Sequence, residues 1–73
     1  MADRRPQLLD AVALLRDVPE EGLRRGQVGA VVDVAADGVM LVEFSDGEGR
    51  AFALPALKAG DLLVLAYEPE SAG

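Results

Sequence analysis

The sequence predicts an all-β fold, a small five-stranded antiparallel barrel, on three observations. Gly26-Gln27-Val28-Gly29 opens a β-branched run through Val34, a glycine-eased bend into a strand. Ala36-Asp37-Gly38 then turns the chain back into Val39-Met40-Leu41-Val42-Glu43-Phe44, the signature of a hairpin. Beyond it, Gly47, Gly49, Pro55 and Gly60 cut the chain into short apolar segments, the spacing of a small barrel.

The elements follow in order. Residues 1–7 carry charge and Pro6 without periodicity and read as a flexible lead-in. Leu8 to Leu15 fits a helical stripe through Leu8, Val12 and Leu15, and equally a strand with Val12 and Leu14 on one face. A strand from about Asp10 to Leu15 is expected, because a lone two-turn helix is marginal among strands. Arg16 to Gly26 is a loop broken by Pro19 and Gly22, with Leu23 pinning it to the barrel.

In the second strand, Val28, Ala30, Val32 and Val34 alternate with Gly29, Val31 and Asp33. In the third, Met40, Val42 and Phe44 alternate with Val39, Leu41 and Glu43. The faces carrying Asp33 and Glu43 are expected outside, which leaves Val31, Val39 and Leu41 as surplus outer-face aliphatics. Ser45 to Gly49 forms a hairpin loop before a fourth strand at Arg50 to Leu54, ended by Pro55. Leu57 falls in a connector with a single helical turn, and Leu62 to Tyr67 is the fifth strand, apolar enough to be covered on both faces. The expected core is Val12, Val28, Val32, Val42, Phe44, Phe52 and Val64.

At 73 residues the chain makes one domain, 8–69, with flexible ends at 1–7 and 70–73, near the lower size limit for an unstapled core. It has no cysteine and no histidine, so thiol chemistry is excluded and only carboxylates remain as metal ligands. No run approaches the roughly 18 apolar residues of a membrane span, and the N-terminus lacks a signal-peptide core; a cytoplasmic protein is expected. The net charge of −6 repels phosphate backbones and anionic lipid. Yet 51% of the residues are hydrophobic, more than so small an interior hides.

Three constellations invite a chemical reading. Asp33, Glu43, Asp46 and Glu48 are carboxylates near one end of a hairpin, but paired-carboxylate catalysis needs two held in a cleft, and solvated charges are the simpler reading. Asp46-Gly47-Glu48 lacks the ligand spacing of a calcium loop and reads as a turn. Gly26-x-x-Gly29 precedes a strand, whereas a phosphate loop opens a helix. No catalytic, metal or cofactor residue is therefore assigned. Arg24 and Arg25 form the one basic cluster with Arg16 and Arg50. Without interleaved aromatics for base stacking they suit pairing with Glu20, Glu21 or a partner's acids better than RNA.

The ordered pattern Leu8-Leu9-Asp10-x-Val12-x-Leu14-Leu15-x-Asp17-x-Pro19-Glu20-x-Gly22-Leu23, then Gly26-Gln27-Val28-Gly29-x-Val31-Val32 and Val42-Glu43-Phe44, resembles a bacterial domain-of-unknown-function family of small stand-alone proteins. The resemblance spans about residues 8–69. It extends through Gly49-Arg50-Ala51-Phe52-Ala53-Leu54, where an alanine stands at a position often aromatic or threonine in the family. It implies a small β-barrel and no established activity. Gly26 to Val34 is separately similar to the bend-and-strand element of SH3-like barrels in ribosome-associated and transcription factors, a likeness of fold more than of function.

The expectation is a five-stranded SH3-like barrel acting as a non-catalytic protein-binding module, an antitoxin, immunity-type or accessory protein. Its contact residues would be Leu23, Arg24, Arg25, Val31, Val39 and Leu41. A self-assembling homo-oligomer is the first alternative, and an RNA-binding barrel resting on Arg24 and Arg25 the second. Neither a small-molecule substrate nor a membrane is expected as partner.

Overall fold

The computed structural model describes residues 5–65. Every element is a strand or a single 3-10 turn. The strands are β1 (Ala11–Leu14), β2 (Val28–Val34), β3 (Val39–Ser45), β4 (Ala51–Ala53), β5 (Ala56–Lys58) and β6 (Leu62–Leu65). Pairing is antiparallel throughout in the order β4-β3-β2-β1-β6, with β5 also on β3. The result is an all-β, barrel-like sheet wrapped on one core. In β1, Val12 and Leu14 are buried and Ala11 and Ala13 half-buried, so alternation decides for strand over helix.

The core comprises Val12, Leu14, Val18, Leu23, Val31, Met40, Val42, Phe44, Ala53, Leu57 and Leu62, with Val64 packed against it. Of the expected core, Val12, Val42 and Phe44 are buried. Val28, Val32 and Phe52 are not; each is exposed. Two β-bulges explain two of these corrections. Between β2 and β3 the register passes from Val31↔Val42 to Asp33↔Leu41, leaving Val32 as an extra residue on β2. Strict alternation ties Val31 to the face of Asp33. The bulge uncouples them, so Val31 turns into the core and Asp33 to the surface. Likewise Phe44↔Ala53 and Ser45↔Ala51 leave Phe52 unpaired on β4.

The inward face of β2 is then Gly29 and Val31, and the glycine is a packing requirement. A Cβ at Gly29 would lie 2.7 Å from the Glu43 carbonyl oxygen and 2.9 Å from both Phe44 Cε2 and Val42 Cγ1. Val28 falls on the opposite face, which corrects its assignment.

The expected fourth strand stops at Ala53. Pro55 has no N–H to continue a ladder, yet it is buried and its carbonyl accepts from Val42 N at 3.1 Å. Pairing resumes in β5, where Leu57 is buried opposite Met40. Leu57 is thus a strand residue, and the helical turn lies after it at Ala59–Asp61. The sixth strand arises from this split. Residues 66 and 67 of the expected last strand, and the tail 70–73, lie outside the described residues. So do residues 1–4 of the lead-in. Pro6 is buried, and Gln7 and Asp10 bond to each other (Gln7 N to Asp10 Oδ2, 2.8 Å; Asp10 N to Gln7 O, 3.0 Å), which anchors Pro6 and Gln7 of the lead-in.

Gly29→Ala is expected to destabilise the fold by about 1–3 kcal/mol, the range for overpacking. Gly47→Ala, where an added Cβ meets nothing within 4 Å, should stay within about 0.5 kcal/mol of the wild type. Urea denaturation of both measures it; equal midpoints would show that the Phe44 ring does not press on Gly29.

Candidate protein-binding surface

The sequence-predicted contact residues divide by burial. Val31 is fully buried, which removes it from the outer surface. Val39 and Leu41 are half-buried on β3, opposite Lys58 and Ala56 of β5. Leu23 is buried and pairs with Val18 across the β1–β2 loop, Val18 N to Leu23 O at 2.9 Å and Leu23 N to Val18 O at 3.0 Å. That is the pinning role expected of it. Its partner Val18, and the 3-10 turn Pro19–Glu21 closed by left-handed Gly22 (φ 73°), were not foreseen.

Arg24 and Arg25 are exposed at the end of this loop. Their backbones are tied down, Arg24 N to Gln27 Oε1 at 2.6 Å and Arg25 N to Asp17 Oδ1 at 2.8 Å. Within the described residues neither guanidinium forms an ion pair with Glu20 or Glu21. The pairing expected inside the loop is therefore absent. Arg16 instead spans to Asp61 at 3.0 Å, and the carboxylate's hydrogen bond and charge raise the guanidinium above its usual pKa. Asp17, Pro19, Gly22, Leu23 and Arg24 line an open cleft of about 330 Å³ beside the loop.

The carboxylate cluster does not assemble. Asp46 Oδ1 accepts from Glu48 N (2.8 Å) and Arg50 N (3.0 Å), and Arg50 pairs with Glu48 at 2.8 Å. These groups build the hairpin turn. Asp33 and Glu43 stand exposed on the sheet. Among the described residues no group of three or more Asp or Glu side chains is placed to hold a metal ion, and no helix is long and apolar enough to cross a membrane.

A larger feature lies on the outer face of β6, β1 and β2. The register sets Leu63, Ala13 and Val28 side by side in one row, and Leu65, Ala11 and Ala30 in the next. All six are apolar. Leu63 is 51% exposed and Val28 50%. At the Ala11 end, Leu9 N donates to Val31 O at 2.7 Å, beside the bulged Val32. Leu9 is 78% exposed and sits at φ 72°, a backbone region that disfavours leucine by about 1–2 kcal/mol. A large aliphatic side chain is thus held in water in a strained conformation. Exposed apolar area of this continuity marks an interaction surface, and strain at an exposed residue points the same way.

The composition of β1 and β6, with no polar residue in Ala11–Leu14 or Leu62–Leu65, was a legible signal for this surface. The sequence predicts coverage on both faces of the last strand, whereas Leu63 is exposed. Residues 8–64 match the model of a family described as a domain of unknown function (DUF4926). No curated protein and no solved structure matches the chain.

Leu23→Ala is expected to lower stability by about 2–5 kcal/mol, as for a buried leucine. Arg24→Ala with Arg25→Ala should stay near wild type. Thermal melts of the two variants check it, and a Leu23→Ala melt at the wild-type midpoint would refute the latch.

Proposed function

Because the chain belongs to the DUF4926 family, whose description carries no activity, we propose its role from its own surface: a non-catalytic protein-binding module that docks a partner on the outer face of β6, β1 and β2. The observation that carries this reading is the charge-free field of Leu63, Ala13, Val28, Leu65, Ala11 and Ala30, extended by strained, exposed Leu9. Burying apolar area contributes about 25 cal/mol per Å² before the losses of association, so this is where a partner gains most. Arg24 and Arg25 lie on the neighbouring loop as a secondary contact.

The finer reading follows the chain order. A long loop between the first two strands, a tight hairpin and a 3-10 turn before the last strand support an SH3-like barrel. An accessory, antitoxin-like or immunity-type protein of the cytoplasm suits a small, acidic, cysteine-free chain. A second reading, self-association, draws on the same apolar field, since a two-fold needs one self-complementary patch.

Leu63→Lys and Leu9→Asn separate binding from folding. Asparagine tolerates positive φ better than leucine, and Leu9 buries little, so Leu9→Asn should keep or slightly raise the melting midpoint. Affinity purification of the tagged protein from its native cells, with light scattering of the pure chain, is the measurement. A stoichiometric companion, or a dimer, that both variants lose supports the face. Companions retained by both variants, or none with a monomeric chain, would sink it.

Nucleic acid is expected to bind only negligibly at physiological salt, since the chain's charge is −6 and binding depends on releasing counterions to cations. Gel-shift titration decides this; a salt-sensitive complex lost in Arg24→Glu with Arg25→Glu would make the barrel an RNA binder.

A further inference from the structure

We propose that the partner docking on the β6–β1–β2 face is a basic protein surface, with an aliphatic centre and lysines or arginines along the side that meets β3. The inference rests on the docking reading above and adds the chemistry of the occupant. It comes from the charges that border the apolar field. Glu43 pairs with Ala30 across the β2–β3 register, and Asp33 pairs with Leu41. Both carboxylates are exposed on the outer face, and neither takes part in an ion pair within the described residues. Asp33 has one internal contact, accepting from Val34 N at 3.0 Å.

On the opposite border the charges of the described residues cancel. Asp61, next to Leu62, is paired with Arg16 at 3.0 Å. Lys58 stands on the β3 side, opposite Val39, and among the described residues pairs with neither Asp33 nor Glu43. Among the described residues, the field therefore has one flank where two unpaired carboxylates outnumber a single lysine and one flank where the charges balance. A partner that covers the field desolvates or approaches Glu43 and Asp33, which is favourable only if it brings cations.

The same arithmetic disfavours a second copy. Each chain carries −6, and a symmetric pair brings a second copy of both unpaired carboxylates to one interface. Like charges so placed oppose association. The bulge at Val32 is what turns Asp33 outward beside Leu41, so the negative flank is a product of the β2 register.

Two synthetic amphipathic helical peptides test this, one of leucine and lysine and one with glutamate replacing every lysine. Each is titrated into the full chain labelled with ¹⁵N, and amide shifts are followed. The leucine–lysine peptide should shift Ala13, Val28, Ala30 and Leu63, and Asp33→Lys with Glu43→Lys should weaken its binding about tenfold or more. Raising salt should weaken it as well, since exposed pairs are screened. If the double variant melts early, Glu43→Gln alone should still weaken binding about threefold.

Equal affinity for both peptides, or binding indifferent to salt and to these variants, would overturn the basic partner and leave the docking face standing. Shifts confined to the Arg24–Arg25 loop, or no shifts on the face, would overturn it too. A dimer of the peptide-free chain broken by Leu63→Lys would make the occupant a second copy instead.

Discussion

The close approach of Phe44 to Gly29 is the constraint on which the sheet depends. One row of the inner face runs Val64, Val12, Gly29, and continues through Phe44 to Ala53. A large ring in the middle of this row can be seated only if the residue beneath it has no side chain. The glycine on β2 and the alanine on β4 flank the ring, so the row alternates small and large as a dense core requires. Any residue but glycine at 29 pushes the ring or the Glu43 carbonyl, and with them the central strand β3. That strand carries β2 on one edge and both β4 and β5 on the other.

The outer surface is a consequence of the same row. With Gly29 and Val31 inward, Val28 and Ala30 have to face outward, and β1 does the same with Ala11 and Ala13. The sheet therefore buries one apolar face and leaves another in water. Antiparallel sheets usually make the second face polar. Here polarity returns toward β3 and β5, at Asp33, Glu43, Ser45 and Lys58. The apolar field and its charged border are set by backbone register, and they lie apart from the loop that carries Arg24 and Arg25.

The strand class and the two hairpin turns, at Ala36–Gly38 and Ser45–Gly49, were legible in the sequence because period-2 patterns and glycine turns are local signals. The alternation of Met40, Val42 and Phe44 against Val39, Leu41 and Glu43 predicts the faces of β3 correctly. It fails on β2 for a specific reason: Asp33 was a sound marker of an outer face, but the bulge at Val32 lies between it and Val31. A bulge depends on the partner strand and leaves no mark in the alternation itself. Phe52 is misplaced by the same device on β4. At Leu57 the signal was hidden by Pro55, which breaks hydrogen bonding without turning the chain from its inward path. The loop residues Leu23, Arg24 and Arg25 lie where expected in the fold, but Leu23 is spent on the core. The exposed Leu9 could not be read from composition, since its positive φ arises from the bonds at Val31 and Gln7.

The pairing of β1 with β6 has a consequence for how the chain is made. Ala11 lies opposite Leu65 and Leu14 opposite Leu62, so the first strand obtains one neighbour only after almost all the described residues exist. At about 5–20 residues per second of synthesis, Val12 and Leu14 wait roughly 2–10 s between leaving the ribosome and meeting Leu62 and Val64. The nascent chain presents an uncharged strand throughout that interval, a template for chance pairing with other chains. That edge of β1 stays open until β6 has been made, and in the folded sheet β6 covers it.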